Sequence, residues 1–216
     1  MLNTSANIKE PGLNVLPPGV ERFIVNGGGI TGIQILPDDE IEIINNEGNQ
    51  ICEISVFNKE GKSEPAILNL KENNNASEIK KILSKKDESS LIALHQLKKR
   101  NLDISKSKAS IIFDKDTNWG EKVKIKSKDK CYCIFAAPGA GMLVYEQNPP
   151  TDLTIFVKRA KITKDKEHHV IPDPMFDPLS ETNIDRATAI SFQVKEGDYI
   201  QIISPTGRQC SDFVAF

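Results

Sequence analysis

The chain has 216 residues, 38% hydrophobic and 27% charged, with 28 basic against 30 acidic side chains and a formal net charge of -2. That length suffices for one large or two small domains with a proper core. The near-neutral balance gives no electrostatic reason for nucleic acid or an anionic membrane as a partner.

No apolar run approaches the roughly 20 residues of a membrane helix. The opening MLNTSANIKE lacks the basic head and apolar body of a signal peptide. Cysteines 52, 131, 133 and 210 form no disulfide framework, so a reducing cytoplasm is the expected location.

Residues 1–20 read as a tail, because Pro11-Gly12 and Pro17-Pro18-Gly19 suit neither a helix nor a central strand. Residues 21–70 read as a first β unit, opening with the strand Arg22-Phe23-Ile24-Val25. Asn26 to Gly32 then contains a formal G-x-G-x-x-G. A dinucleotide site needs a helix to open at this point. The following Ile33-Gln34-Ile35-Leu36-Pro37 reads as a short strand instead, so the glycines are assigned to backbone turns. Two more strands flank a reversal at Asn45-Asn46-Glu47-Gly48, and Glu64 to Leu70 reads as another strand.

Residues 71–107 form a helical insertion. Ser77 opens a short helix with Ile79, Ile82 and Leu83 on one side. Asp87 is placed to cap a second helix carrying Leu91, Ile92, Leu94 and Leu97, with Lys98-Lys99-Arg100 at its C-terminal end. From residue 108 to 216 the period returns to two, in a second β region read as truncated at its C-terminal end. Its strands are Ile111-Ile112-Phe113, Val123-Lys124-Ile125, Cys131 to Ala136, Met142 to Tyr145 and Leu153 to Val157; Lys164 to Pro178 is a charged loop. The predicted fold class is mainly β (α+β), a sandwich or barrel with a small helical insertion.

One pattern occurs twice. Phe192 to Phe216 lies over Ile33 to Phe57 without a gap, matching Gln193 to Gln34, Asp198 to Asp39, Ile200 to Ile41 and Ile202-Ile203 to Ile43-Ile44. Gly207 then meets Gly48, Gln209 meets Gln50, Asp212 meets Glu53 and Phe216 meets Phe57. Such self-similarity sets an architecture, here two related β-hairpin units. Because the chain stops on the second strand of the second unit, it is expected to be the front part of a longer protein.

The paired acids and amides nominate a site. Asp212 and Cys210 share a strand face and are the candidate catalytic residues, while Arg208, Gln209, Glu53 and Gln50 are candidate substrate-binding residues. Two carboxylates facing one cleft would suit a planar cationic nitrogen substrate through bidentate hydrogen bonds. A buried Cys and a surface Asp would explain the same spacing. Cys131-Tyr132-Cys133 is assigned to core packing, Glu167-His168-His169 to a solvated loop, and no metal site is predicted.

These motifs carry a resemblance. Glu196-Gly197-Asp198-Tyr199-Ile200-Gln201-Ile202-Ile203 followed by Gly207-Arg208-Gln209-Cys210-Ser211-Asp212-Phe213 and Phe216 resembles the urea carboxylase-associated (urea amidolyase-associated) domain family. Ala136-Ala137-Pro138, Met142 and Glu146-Gln147-Asn148-Pro149-Pro150-Thr151 are similar to the form fused to a glycine-cleavage-type aminomethyltransferase. The resemblance implies an enzyme of C–N or one-carbon metabolism acting on a small urea-, guanidine- or amine-type substrate. It also implies that tetrahydrofolate would enter through a downstream domain. The fragment alone is expected to be inactive. A non-catalytic β-domain for small-molecule binding or homo-oligomerisation is the alternative.

Overall fold

A computed structural model describes residues 16–73, 77–85, 88–139, 149–161, 178–204 and 210–215. Among the described residues, eight strands form two four-stranded antiparallel sheets. They are β1 (Val20–Val25), β2 (Ile30–Ile35), β3 (Glu40–Asn45), β4 (Cys52–Asn58), β5 (Ala109–Phe113), β6 (Lys122–Lys126), β7 (Cys131–Ala136) and β8 (Leu153–Lys158). The first sheet runs β1-β8-β3-β6 and the second β2-β7-β4-β5. Each sheet therefore alternates a strand from the first half of the chain with one from the second. This is the ordering of a jelly-roll sandwich, in which a long folded ribbon wraps into two layers.

The alternation of side chains explains the layers. In β3, Ile41 and Ile43 are buried while Glu40 is exposed and Glu42 half-buried; in β8, Leu153, Ile155 and Val157 are buried and Lys158 is exposed. These inward residues meet Ile33, Ile35, Ile54, Val56, Phe113, Cys133 and Phe135 from the opposite sheet in one apolar core. On the outer face of the first sheet, ion pairs Lys124–Glu42 and Lys158–Glu40 join neighbouring strands.

The second sheet is covered on both faces. Helices α1 (Glu78–Ser84) and α2 (Glu88–Lys99) lie in the connection between β4 and β5. There Ile79, Ile82, Leu83 and Leu97 pack with Phe57, Ile134 and Ala136. Burial on two faces is why β7 reads as a nearly continuous apolar run; β4 is buried along almost its whole length too, but carries Glu53 and Ser55 among its apolar residues.

Four expectations differ from the structure. The strands on either side of the Asn45–Gly48 reversal do not pair as a hairpin. β3 lies between β8 and β6, β4 lies between β7 and β5, and the chain crosses from one sheet to the other as an arch. With both edges of each strand occupied, neither has a free ladder to offer the other. Residues 65–68 form a 3-10 turn rather than a strand, opened by Pro65 and closed by Asn69 in the left-handed region. Leu91 is exposed, although the helical stripe had placed it inward.

Lastly, residues 192–204 and 210–215, assigned to the second hairpin, contain no strand. Asp87, Met142 to Tyr145, Glu167-His168-His169 and residues Pro205 to Gln209, which include most of the reversal of the second hairpin, lie outside the described residues. The glycine-rich stretch follows the sequence reading: it forms the turn between β1 and β2, with Gly29 N–H donating to the Asn26 carbonyl at 2.8 Å, and no helix follows.

Candidate functional site

The arch between β3 and β4 is held from inside. Asn45, fully buried, donates through Nδ2 to the Gln50 carbonyl at 2.9 Å and accepts from the Gly48 N–H at 3.0 Å. Gly48 has φ of +82°, and an added Cβ would lie 2.7 Å from the Trp119 backbone nitrogen. Only glycine fits that combination of backbone angle and close approach.

Gln50 then ties the arch to the chain on either side of the β7–β8 connection. Its Nε2 donates to the Pro138 and Ile51 carbonyls, both at 2.9 Å, and its Oε1 accepts from the Thr151 N–H at 2.7 Å. Pro138 and Thr151 lie at the two ends of the β7–β8 connection. The structure therefore brings Gln50 to both of them.

The same end of the sandwich is knitted by Asp152 and Asn46. Asp152 Oδ1 accepts from the Gly27 N–H at 2.8 Å, while Asn46 Nδ2 donates to the Asp152 carbonyl and to Thr154 Oγ1, each at 3.0 Å. Gly28 N–H donates to the Ala137 carbonyl at 2.7 Å.

Glu53 faces elsewhere. It points from β4 to the outer side of the second sheet, 2% exposed, where its two oxygens accept from the backbone N–H groups of Glu78 and Ile79 at 3.0 and 3.1 Å. A carboxylate at the start of α1 satisfies donors that the helix cannot satisfy itself. Asp212, its counterpart in the repeat, is exposed and lies in no strand, as does Cys210. The paired acids thus occupy unlike surroundings. Arg208 and Gln209 lie outside the described residues.

Sequence reasoning missed the clamp around Arg159. Its guanidinium, 8% exposed, donates Nε and Nη2 to the two oxygens of Glu21 at 2.9 and 2.6 Å, and Nη1 to Asp39 at 2.7 Å and the Gln34 carbonyl at 3.0 Å. Asp39 also accepts from the backbone N–H groups of Leu36 and Ala160. Burial works against the charge on Arg159, but the hydrogen bonds to Glu21 and Asp39 outweigh it and raise its pKa. Every described polar group of this clamp is engaged by the protein, which makes it a fastening between β1, β8 and the β2–β3 turn.

The buried thiols fit packing. Cys131 and Cys133 sit with sulfurs 3.7 Å apart inside the sandwich, and burial pushes the thiols of Cys52 and Cys133 up, keeping them protonated. Among the described residues, no three His, Cys, Asp or Glu side chains converge in a way that could hold a metal ion. No described helix is long and apolar enough to cross a membrane.

No family model matches the chain. Over 210 residues it is 35% identical to the trimethylamine-oxide aldolase of Ruegeria pomeroyi. The match takes in 97% of this chain and 26% of that protein, so the chain corresponds to about a quarter of its relative's length.

Proposed function

We propose that the chain is a β-rich portion of a cytoplasmic enzyme of C–N or one-carbon metabolism that acts on a small amine-type substrate. One observation carries the reading: 35% identity, along nearly the whole chain, with a protein named for an amine N-oxide. Cleavage of trimethylamine N-oxide by an aldolase balances as dimethylamine plus formaldehyde. One C–N bond and the N–O bond break, the oxygen passes to the departing carbon, one hydrogen of that methyl ends on the amine nitrogen, and no outside oxidant is needed. Formaldehyde is also the kind of one-carbon fragment that tetrahydrofolate accepts. That links the amine substrate to the aminomethyltransferase-like neighbour implied by the resemblance to the urea carboxylase-associated family.

In this reading Asp212 and Cys210 act at the reacting carbon and nitrogen, while Arg208 and Gln209 orient the substrate. Gln50 and Glu53 hold the matching positions in the first copy, where their polar atoms support the arch and α1. The filled aliphatic interior of the sandwich favours a scaffold role for residues 20–158. A non-catalytic module for binding or homo-oligomerisation is therefore the second reading.

The test is turnover by the full gene product of trimethylamine N-oxide, carboxyguanidine, urea and methylated amines, with and without tetrahydrofolate. Formaldehyde and free amine are the readouts. Release of both from the N-oxide is expected, with Asp212→Asn lowering kcat by about 100-fold or more. Unaltered kcat in Asp212→Asn removes that residue from the chemistry. No turnover of any of the four leaves the scaffold reading.

A further inference from the structure

The two turns that flank β2 are each built twice. At residues 26–29, Gly29 N–H donates to the Asn26 carbonyl at 2.8 Å and Gly28 has φ of 78°. At residues 36–39, Asp39 N–H donates to the Leu36 carbonyl at 3.2 Å, Leu36 N–H donates to Asp39 Oδ2 at 2.9 Å, and Asp38 has φ of 67°. Both recur at the spacing of the sequence repeat. Thr188 N–H donates to the Asp185 carbonyl at 3.3 Å, and Ala187 has φ of 58°. Asp198 N–H donates to the Lys195 carbonyl at 3.0 Å, Lys195 N–H donates to Asp198 Oδ2 at 2.8 Å, and Gly197 has φ of 88°. Ala187 and Gly197 are the only described residues after 161 with positive φ. An alanine held in the left-handed region is uncommon without a turn that demands it.

The register therefore extends upstream of the sequence match. Residues 179–184, 189–194 and 199–204 correspond to β1, β2 and β3, and residues 211–215 to most of β4. The core positions of β1–β4 stay apolar in the second copy, except that Cys52 is replaced by Ser211. Ile33, Ile35, Ile43 and Ile54 are replaced by Phe192, Val194, Ile202 and Phe213. All four originals are within 2% of full burial, whereas the replacements are 55%, 52%, 57% and 56% exposed.

The topology gives the reason. Every ladder in the sandwich joins one of β1–β4 to one of β5–β8, and none joins two strands of the first half. A copy of β1–β4 alone can make its local turns but has no strand to pair with. We propose that residues 179–204 and 210–215 are the first half of a second jelly roll, whose partner is a four-strand polypeptide segment of β5–β8 pattern lying outside residues 1–216. Because the matched relative is nearly four times the length of the match, the complement is assigned to the same polypeptide. Asp212 then takes the place of Glu53, on a strand flanked by the counterparts of β7 and β5. The proposal rests on the turns and ladders and holds whatever the substrate is.

Hydrogen exchange on the 216-residue chain and on the full gene product tests it. Amides of residues 190–194 and 199–203 are expected to exchange at least about 100-fold more slowly in the full product than in the 216-residue chain. Those of β2 and β3 should be protected in both. Ile202→Pro in the full product should restore fast exchange at residues 190–203 while leaving β3 protected. Fast exchange of residues 190–203 in the unsubstituted full product overturns the proposal. Protection of that segment within the 216-residue chain also overturns it, assigning the surface to a second copy if the mass doubles and to the first sandwich if it does not.

Discussion

Both carboxylate oxygens of Glu53 accept hydrogen bonds from the first turn of α1, and the side chain is closed off from water. Glu53→Gln presents an amide N–H to a backbone N–H and removes the negative charge at the helix start. The expected loss is about 1–3 kcal/mol, read as a lower urea midpoint with unchanged slope. In the full gene product, kcat per folded molecule should stay at the parent value. A fall in kcat without a fall in stability would move Glu53 into the substrate contacts.

The sequence carried the right signal at this residue, an acid kept in both copies, but a shared residue type does not fix a shared environment. Asp39 was legible as one member of a matched pair. Its partner Arg159 was not, because 120 residues separate them and only folding brings β8 alongside β3. The alternating sulfurs of Cys131 and Cys133 were legible as core, since spacing of two on a strand defines a face.

At the scale of elements, β-branched alternation located β1–β8 within a few residues, and the spacing of Ile79, Ile82 and Leu83 located α1. Partner choice was hidden. A reversal rich in Asn and Gly reads as a hairpin, yet the same residues build an arch when both strands already have neighbours. The difference lies in Asn45, whose side chain bridges Gly48 and Gln50 across the bend.

Asn45→Ala leaves the Gly48 N–H and the Gln50 carbonyl without that buried partner and should cost about 2–4 kcal/mol. Asn46→Ala, at an exposed position on the same bend, should cost under about 1 kcal/mol. Equal losses from the two variants would show that the bend is held by its ends and not by Asn45. Pro65 shows the converse error: an apolar run bounded by turn residues was too short to tell a strand from a 3-10 turn.

For the molecule as a whole, the alternation of first-half and second-half strands means that no ladder forms until the chain has folded back on itself. Residues 16–107 hold β1–β4 and both helices, and residues 108–161 hold β5–β8, yet neither piece contains one native strand pair. Each piece is therefore expected to be unfolded alone, with little β signal in far-UV circular dichroism and no cooperative melt. Mixed together they should assemble into a one-to-one complex with the β content of the intact sandwich, slowly, because every pairing is long-range. The ladders β3·β6, β3·β8, β4·β5 and β4·β7 give each half neighbours only in the other half, and the core draws on both. Independent folding of residues 16–107 would show that α1, α2 and the outer cluster suffice to hold four unpaired strands. That result would also remove the reason for the second copy to need a complement.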